Sequence, residues 1–196
     1  MPNPEPAPVI ITVFVTAVSL FVNASFASAH PLHSEWQDAE MTTERLEVQR
    51  TIPAEPATIF AVLRDPQGHV TIDSSGMLMD ATGEPVTAVG DSFVVHMDRE
   101  ALNDYPMGLY DVTVTITAFV PDREIAWTVL GQIRPPIGHI YGYTLVPVDD
   151  GTLVTSYYDW STIAEVWRDA DIFPVIPESA LRATLGILAR TVARAS

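Results

Sequence analysis

The closing segment SALRATLGILARTVARA, residues 179–195, limits the fold more than any other stretch. Leu181, Leu185, Leu188 and Val192 fall at i, i+4, i+7 and i+11, which predicts a helix with one apolar stripe. Ser179 suits the N-cap, and Arg190 and Arg194 suit the negative end of the helix dipole. Gly186 weakens the helix but permits close packing. A single stripe must lie on one apolar surface, and the segments before it read mainly as strands. The surface it covers is therefore expected to be a sheet.

Those strands can be traced in order. RLEVQRTIP (45–53) alternates, and AEPATIFAVLRDP (54–66) reads as a short helix with Pro56 in its first turn and Pro66 as its stop. Residues 67–75 read as a helical turn or a loop. Strands are expected at Met77–Ala81, Ser92–Met97, Tyr110–Phe119, Glu124–Leu130, His139–Val148 and Thr152–Trp160. Turn signals separate most of them: Thr82-Gly83-Glu84-Pro85, Val89-Gly90-Asp91, Pro121-Asp122-Arg123 and Asp149-Asp150-Gly151. VTVTIT (112–117) sets Val112, Val114 and Ile116 on one face and threonines on the other. Residues 161–177 read as a loop or short helix. The order is an α+β layer solution: a curved antiparallel sheet of about seven strands wrapped around the last helix, with one or two short helices after the first strand.

Residues 1–40 are set outside this domain, which is assigned to 41–196. The run 9–22 is apolar, and Ala27-Ser28-Ala29 before His30 suits a signal-peptidase site, but no Lys or Arg precedes it. Met41 opens MTTERLEVQRTI, which leads directly into the first strand. An upstream mis-assigned start, a signal peptide and an anchor all stay open. Translation from Met41 implies the cytoplasm, whereas an operating 9–29 segment implies secretion or the cell envelope.

Composition removes several functions. The formal charge is −15, with 10 basic residues, all Arg, against 25 acidic ones. No basic cluster exists to hold nucleic acid, and the excess acid disfavours an anionic membrane surface. Without Cys there are no disulfide partners, no thiolate metal site and no cysteine nucleophile. G-x-S-x-G is absent, and GHIYG (138–142) opens no helix and is no phosphate loop.

VQRTIPAEPATIFAVLRDP, VGDSF, LVPVDDGTLVTSYYDW and the closing amphipathic helix together resemble the START-like, or SRPBCC, superfamily of polyketide cyclase/dehydrase and lipid-transport proteins. The resemblance covers about residues 44–194. It implies the helix-grip fold and a hydrophobic cavity between sheet and last helix for sterols, lipids, polyketides or other aromatic ligands. It implies no fixed catalytic set, since members include enzymes, carriers and proposed toxin–antitoxin partners.

The hairpin 138–161 carries the site expectation. Asp150-Gly151 is a two-residue turn signal of type I′, which sets 148 against 153, Tyr143 against Tyr158 and Tyr141 against Trp160. A three-residue turn would slip the register by one and send Tyr158 to the other face. The two-residue turn gathers His139, Tyr141, Tyr143, Leu145, Val154, Ser156, Tyr158 and Trp160 on one face. Ordinary aromatic packing accounts for about 0.2–1 kcal/mol per pair. So many hydroxyl and N–H tips favour a cavity wall, because a dry core leaves few polar tips to satisfy. The expected ligand-contacting set is Trp127, His139, Tyr141, Tyr143, Ser156, Tyr158, Trp160, Leu181, Leu185 and Leu188.

Weaker signals complete the reading. His96 with Asp98 offers an acid/base pair on one strand face, and Tyr143 and Tyr158 are the other candidates for moving protons. Tyr105 and Met107 sit in a loop suited to a cavity mouth. His69 and Asp73 are four apart but lack a third ligand, so no metal is expected, and no cofactor. Met77, Met79, Met97 and Met107 read as flexible core and cavity filler. Binding of a hydrophobic ligand is the leading expectation. A cyclase, aromatase or dehydratase and a protein-interaction component are the alternatives, with oligomeric state open.

Overall fold

The computed structural model describes residues 44–100, 107–170 and 172–195. In order the elements are β1 (Arg45–Ile52), α1 (Pro56–Leu63), α2 (Pro66–Ile72), β2 (Leu78–Thr82), β3 (Ser92–Asp98), β4 (Leu109–Val120), β5 (Glu124–Leu130), β6 (Ile140–Val148), β7 (Gly151–Asp159), α3 (Glu165–Arg168) and α4 (Glu178–Ala195). β2 to β7 run as an antiparallel meander. The chain's first strand closes the order beside its last, giving β1-β7-β6-β5-β4-β3-β2. The seven-stranded sheet, the short helices after β1 and the terminal helix make up the expected helix-grip arrangement.

Alternation decides which face is buried. Phe93 and Val95 on β3, Val112, Val114 and Ile116 on β4, and Tyr143 and Leu145 on β6 all point into the core. α4 lies over that face with Leu181, Leu185, Leu188 and Val192 buried, packing on β1 and β7 and against α1 and α2. The expected stripe is therefore the stripe observed. The helix begins at Glu178, so Ser179 lies inside its first turn rather than capping it.

Two further local expectations need correction. Pro66 does not simply stop α1; it opens α2, and residues 67–72 are helical. Proline lacks an N–H and is fixed near the helical φ, so it fits a first helical position, and the Asp65 carboxylate caps the turn by accepting from Gln67 N–H at 3.0 Å.

The second correction is the hairpin register. Val148 pairs with Gly151, Tyr143 with Ser156 and Tyr141 with Tyr158. The loop is thus Asp149-Asp150, and neither expected register is adopted. Type I′ needs positive φ at both loop residues, yet among described residues Asp122 is the only non-glycine with positive φ. Gly151 answers a different demand. Its φ is 129°, and a Cβ there would come within 2.2 Å of the Ile52 carbonyl oxygen where β1 ends. The displacement from the expected register is two residues, an even number, so the same side chains stay on the inner face. Only their partners change.

Candidate ligand cavity

A cavity of about 620 Å³ lies between the inner sheet face and the helices. Met97 of β3, Tyr110, Val112 and Val114 of β4, Trp127 and Val129 of β5, and Tyr141 and Tyr143 of β6 form one wall, with Ser156 of β7 and His139 just before β6. His69 and Ile72 of α2, the stretch Val175-Ile176-Pro177, and Ala180, Leu181 and Thr184 of α4 form the other side. The lining is mostly apolar, as ligand sites are, with a small number of polar atoms in it.

Rings make up much of the sheet wall. Tyr141 stacks on Tyr158 at 4.6 Å and 15°, and Trp127 lies 6.3 Å from Tyr141 and 5.9 Å from Tyr143. His139 meets Tyr141 edge-on at 5.0 Å and Tyr158 at 5.5 Å. His69 meets Trp127 edge-on at 4.7 Å and Phe93 at 5.0 Å. Edge-to-face and offset contacts are the arrangements that ring quadrupoles favour.

The polar tips are held in place. His139 Nδ1 lies 3.0 Å from Tyr158 Oη, and Thr128 Oγ1 donates to the His139 carbonyl at 2.9 Å. His69 Nε2–H donates to the Leu63 carbonyl at 2.8 Å. Thr184 donates to Ser74 Oγ at 2.9 Å and Ser74 donates to the Ala180 carbonyl at 3.1 Å, which ties the α2–β2 loop to α4. The Asp73 carboxylate accepts from Ser75 N–H, Ser75 Oγ–H and Leu78 N–H. It therefore serves its own turn, and its presumed companion His69 is bonded elsewhere. Among the described residues no group of three or more His, Cys, Asp or Glu could hold a metal ion.

Burial sets the protonation of these groups. Desolvation pushes His69 and His139 down to about 4, so both imidazoles are neutral at pH 7. It pushes Tyr143 up to about 12, and Tyr141 and Tyr158 further above the ordinary phenol range.

Of the residues expected at the site, Trp127, His139, Tyr141, Tyr143, Ser156 and Leu181 line the cavity. Tyr158, Trp160, Leu185 and Leu188 are buried but stand behind the wall or beyond it. Tyr158 backs Tyr141, and Trp160 stacks between Tyr158 and Phe173. His96 alternates with Val95 and so faces away from the cavity. Its ring bridges Asp111, at 2.7 Å, and Thr82, at 2.9 Å, across three strands, and the expected Asp98 contact is not among its bonds. Met77, Met97 and Met107 line the cavity, whereas Met79 is 58% exposed on the far face of the edge strand. Tyr105 lies outside the described residues.

Sequence reasoning missed His69 as a wall residue, and missed Tyr110 and the 175–177 stretch. Tyr110 was available from the period-2 pattern, two residues before Val112. Val175-Ile176-Pro177 carries no periodic signal at all.

A family model described as polyketide cyclase / dehydrase and lipid transport matches residues 43–193. No curated protein matches the chain. Solved structures similar in fold include protein CV1439 from Chromobacterium violaceum, with 16% identity and TM-score 0.57 over 76% of this chain and 96% of that one. Protein Ms6760 from Mycobacterium smegmatis has 15% identity and TM-score 0.54, over 79% and 94%. The AHSA1-like protein from Aeromonas hydrophila has 15% identity and TM-score 0.52, over 77% and 93%.

Proposed function

Because the chain belongs to the polyketide cyclase / dehydrase and lipid transport family, we propose that it binds a small hydrophobic or aromatic ligand, of lipid, sterol or polyketide-like kind, in the cavity under the N-terminal half of α4. The observation that carries this reading is the cavity itself: about 620 Å³ of mostly apolar volume with ring walls and a few fixed polar tips. Affinity comes from apolar area removed from water, about 25 cal/mol per Å². Trp127, Tyr141, Tyr143 and Leu181 supply that area, and His139 and Ser156 orient the ligand.

Binding is favoured over turnover by the same burial. A general acid or base works best with a pKa near the working pH. His139, Tyr143 and Tyr158 are all displaced away from neutrality, toward their uncharged forms. They suit hydrogen bonding better than proton transfer. A protein-interaction role would call for an exposed aromatic face. Among described residues the exposed large hydrophobics are aliphatic or Met.

Native mass spectrometry of the purified chain, with displacement of a lipophilic fluorescent dye, tests the reading. A retained small molecule or micromolar dye uptake is expected. A chain that carries nothing and takes up no dye refutes ligand binding.

A further inference from the structure

The two histidines of the cavity use opposite ring edges on the protein. A carbonyl oxygen can only accept, so the bond from His69 to Leu63 fixes the proton of His69 on Nε2. Its Nδ1 is then a lone pair.

His139 is fixed the other way round. Its Nδ1 meets Tyr158 Oη, and of these two the phenol is the stronger hydrogen-bond donor and the neutral imidazole nitrogen the stronger acceptor. The proton of Tyr158 therefore lies along the 3.0 Å contact to His139 Nδ1. His139 accepts there, so its own proton sits on Nε2. No protein group bonds the second ring nitrogen of either histidine. Among the described residues the one buried side-chain N or O atom without a partner is Trp167 Nε1, so both nitrogens keep open surface. Both residues line the cavity, joined across its wall by the rings of Trp127 and Tyr141.

We infer that the cavity selects a ring-sized apolar ligand bearing one acceptor oxygen, such as a ketone, for His139 Nε2–H and one hydroxyl or N–H donor for His69 Nδ1. This choice of polar groups rests on the binding reading above and narrows it.

A matched naphthalene series tests this by dye displacement on the full chain: 2-ethylnaphthalene, 2-acetylnaphthalene and 6-hydroxy-2-acetylnaphthalene. The hydroxyketone is expected to bind tightest and the ketone about tenfold tighter than the hydrocarbon. His139→Phe keeps a ring in the wall and should erase the ketone's advantage, and His69→Phe should erase that of the hydroxyl. Equal binding of all three overturns the inference and leaves ligand binding standing. Failure of all three to bind overturns the two together. A ligand-free readout comes from nitrogen-resolved NMR of the imidazoles at pH 7. Both rings should be in the Nε2–H form, and Tyr158→Phe should release His139 alone from it. An Nδ1–H form at either ring in the unsubstituted protein also overturns the inference.

Discussion

The two halves of α4 do different work with one stripe. Toward its C-terminus Leu185, Leu188 and Val192 are fully packed into the core. Toward its N-terminus Ala180, Leu181 and Thr184 face open volume. The difference lies in what the helix meets. The C-terminal half meets close-packed aliphatic neighbours such as Val48, Ile52 and Val154. The N-terminal half roofs the ring-walled cavity, and the side chains it turns toward that cavity are small except for Leu181. One helix therefore anchors the fold at one end and roofs a cavity at the other.

Truncation should show the contrast most strongly in the packed half. Leu188→Ala is expected to cost about 2–5 kcal/mol in a urea titration, because its neighbours cannot collapse around the hole. The next effect belongs to the cavity half alone. His69 is buried with its pKa lowered from 6.5 to about 4, so the unfolded chain binds the proton more readily. Its stabilising contribution is complete above about pH 6.5 and is lost as the pH falls through about 4, a loss of roughly 3 kcal/mol. Urea midpoints at pH 7, 5.5 and 4 measure it; His139, also held down to about 4 by burial, adds to the same slope, so His69→Phe should remove about half of it. A wild-type midpoint that stays level over this window breaks the comparison.

Leu181→Ala should cost roughly half as much as Leu188→Ala, since Leu181 already borders empty space. It should also enlarge the cavity enough to change dye affinity, which Leu188→Ala should not. Equal losses of stability at the two positions would show that the halves are equally packed. The smallest effect is on the outer sheet face, where Val146→Ser should stay within about 0.5 kcal/mol because Val146 is exposed.

Much of the fold is legible in the chain because sheet and helix periods differ. Glu124–Leu130 is read to the residue, and the α4 stripe is read completely. The inner face of the β6–β7 hairpin is also legible, since faces depend only on odd or even position. Its pairings are not, because they depend on which neighbour needs the glycine. Gly151 is set by the end of β1, about a hundred residues earlier in the chain, and no local turn rule contains that contact. The cavity is legible only on its sheet side. Leu185 and Leu188 share a period with Leu181 but not its surroundings, and periodicity carries no record of where packing stops. His96 looked chemical because it is ionisable, while His69 and His139 matter through burial, which the sequence does not display.

The place of Trp127 has an optical consequence. Among the described tryptophans, Trp127 alone lines the cavity, whereas Trp160 and Trp167 do not. Tyr141 and Tyr143 lie about 6 Å from it, close enough to pass their excitation to the indole. Part of the light absorbed by the wall's phenols therefore leaves through a chromophore that touches the cavity, and occupancy is written into the protein's own emission spectrum.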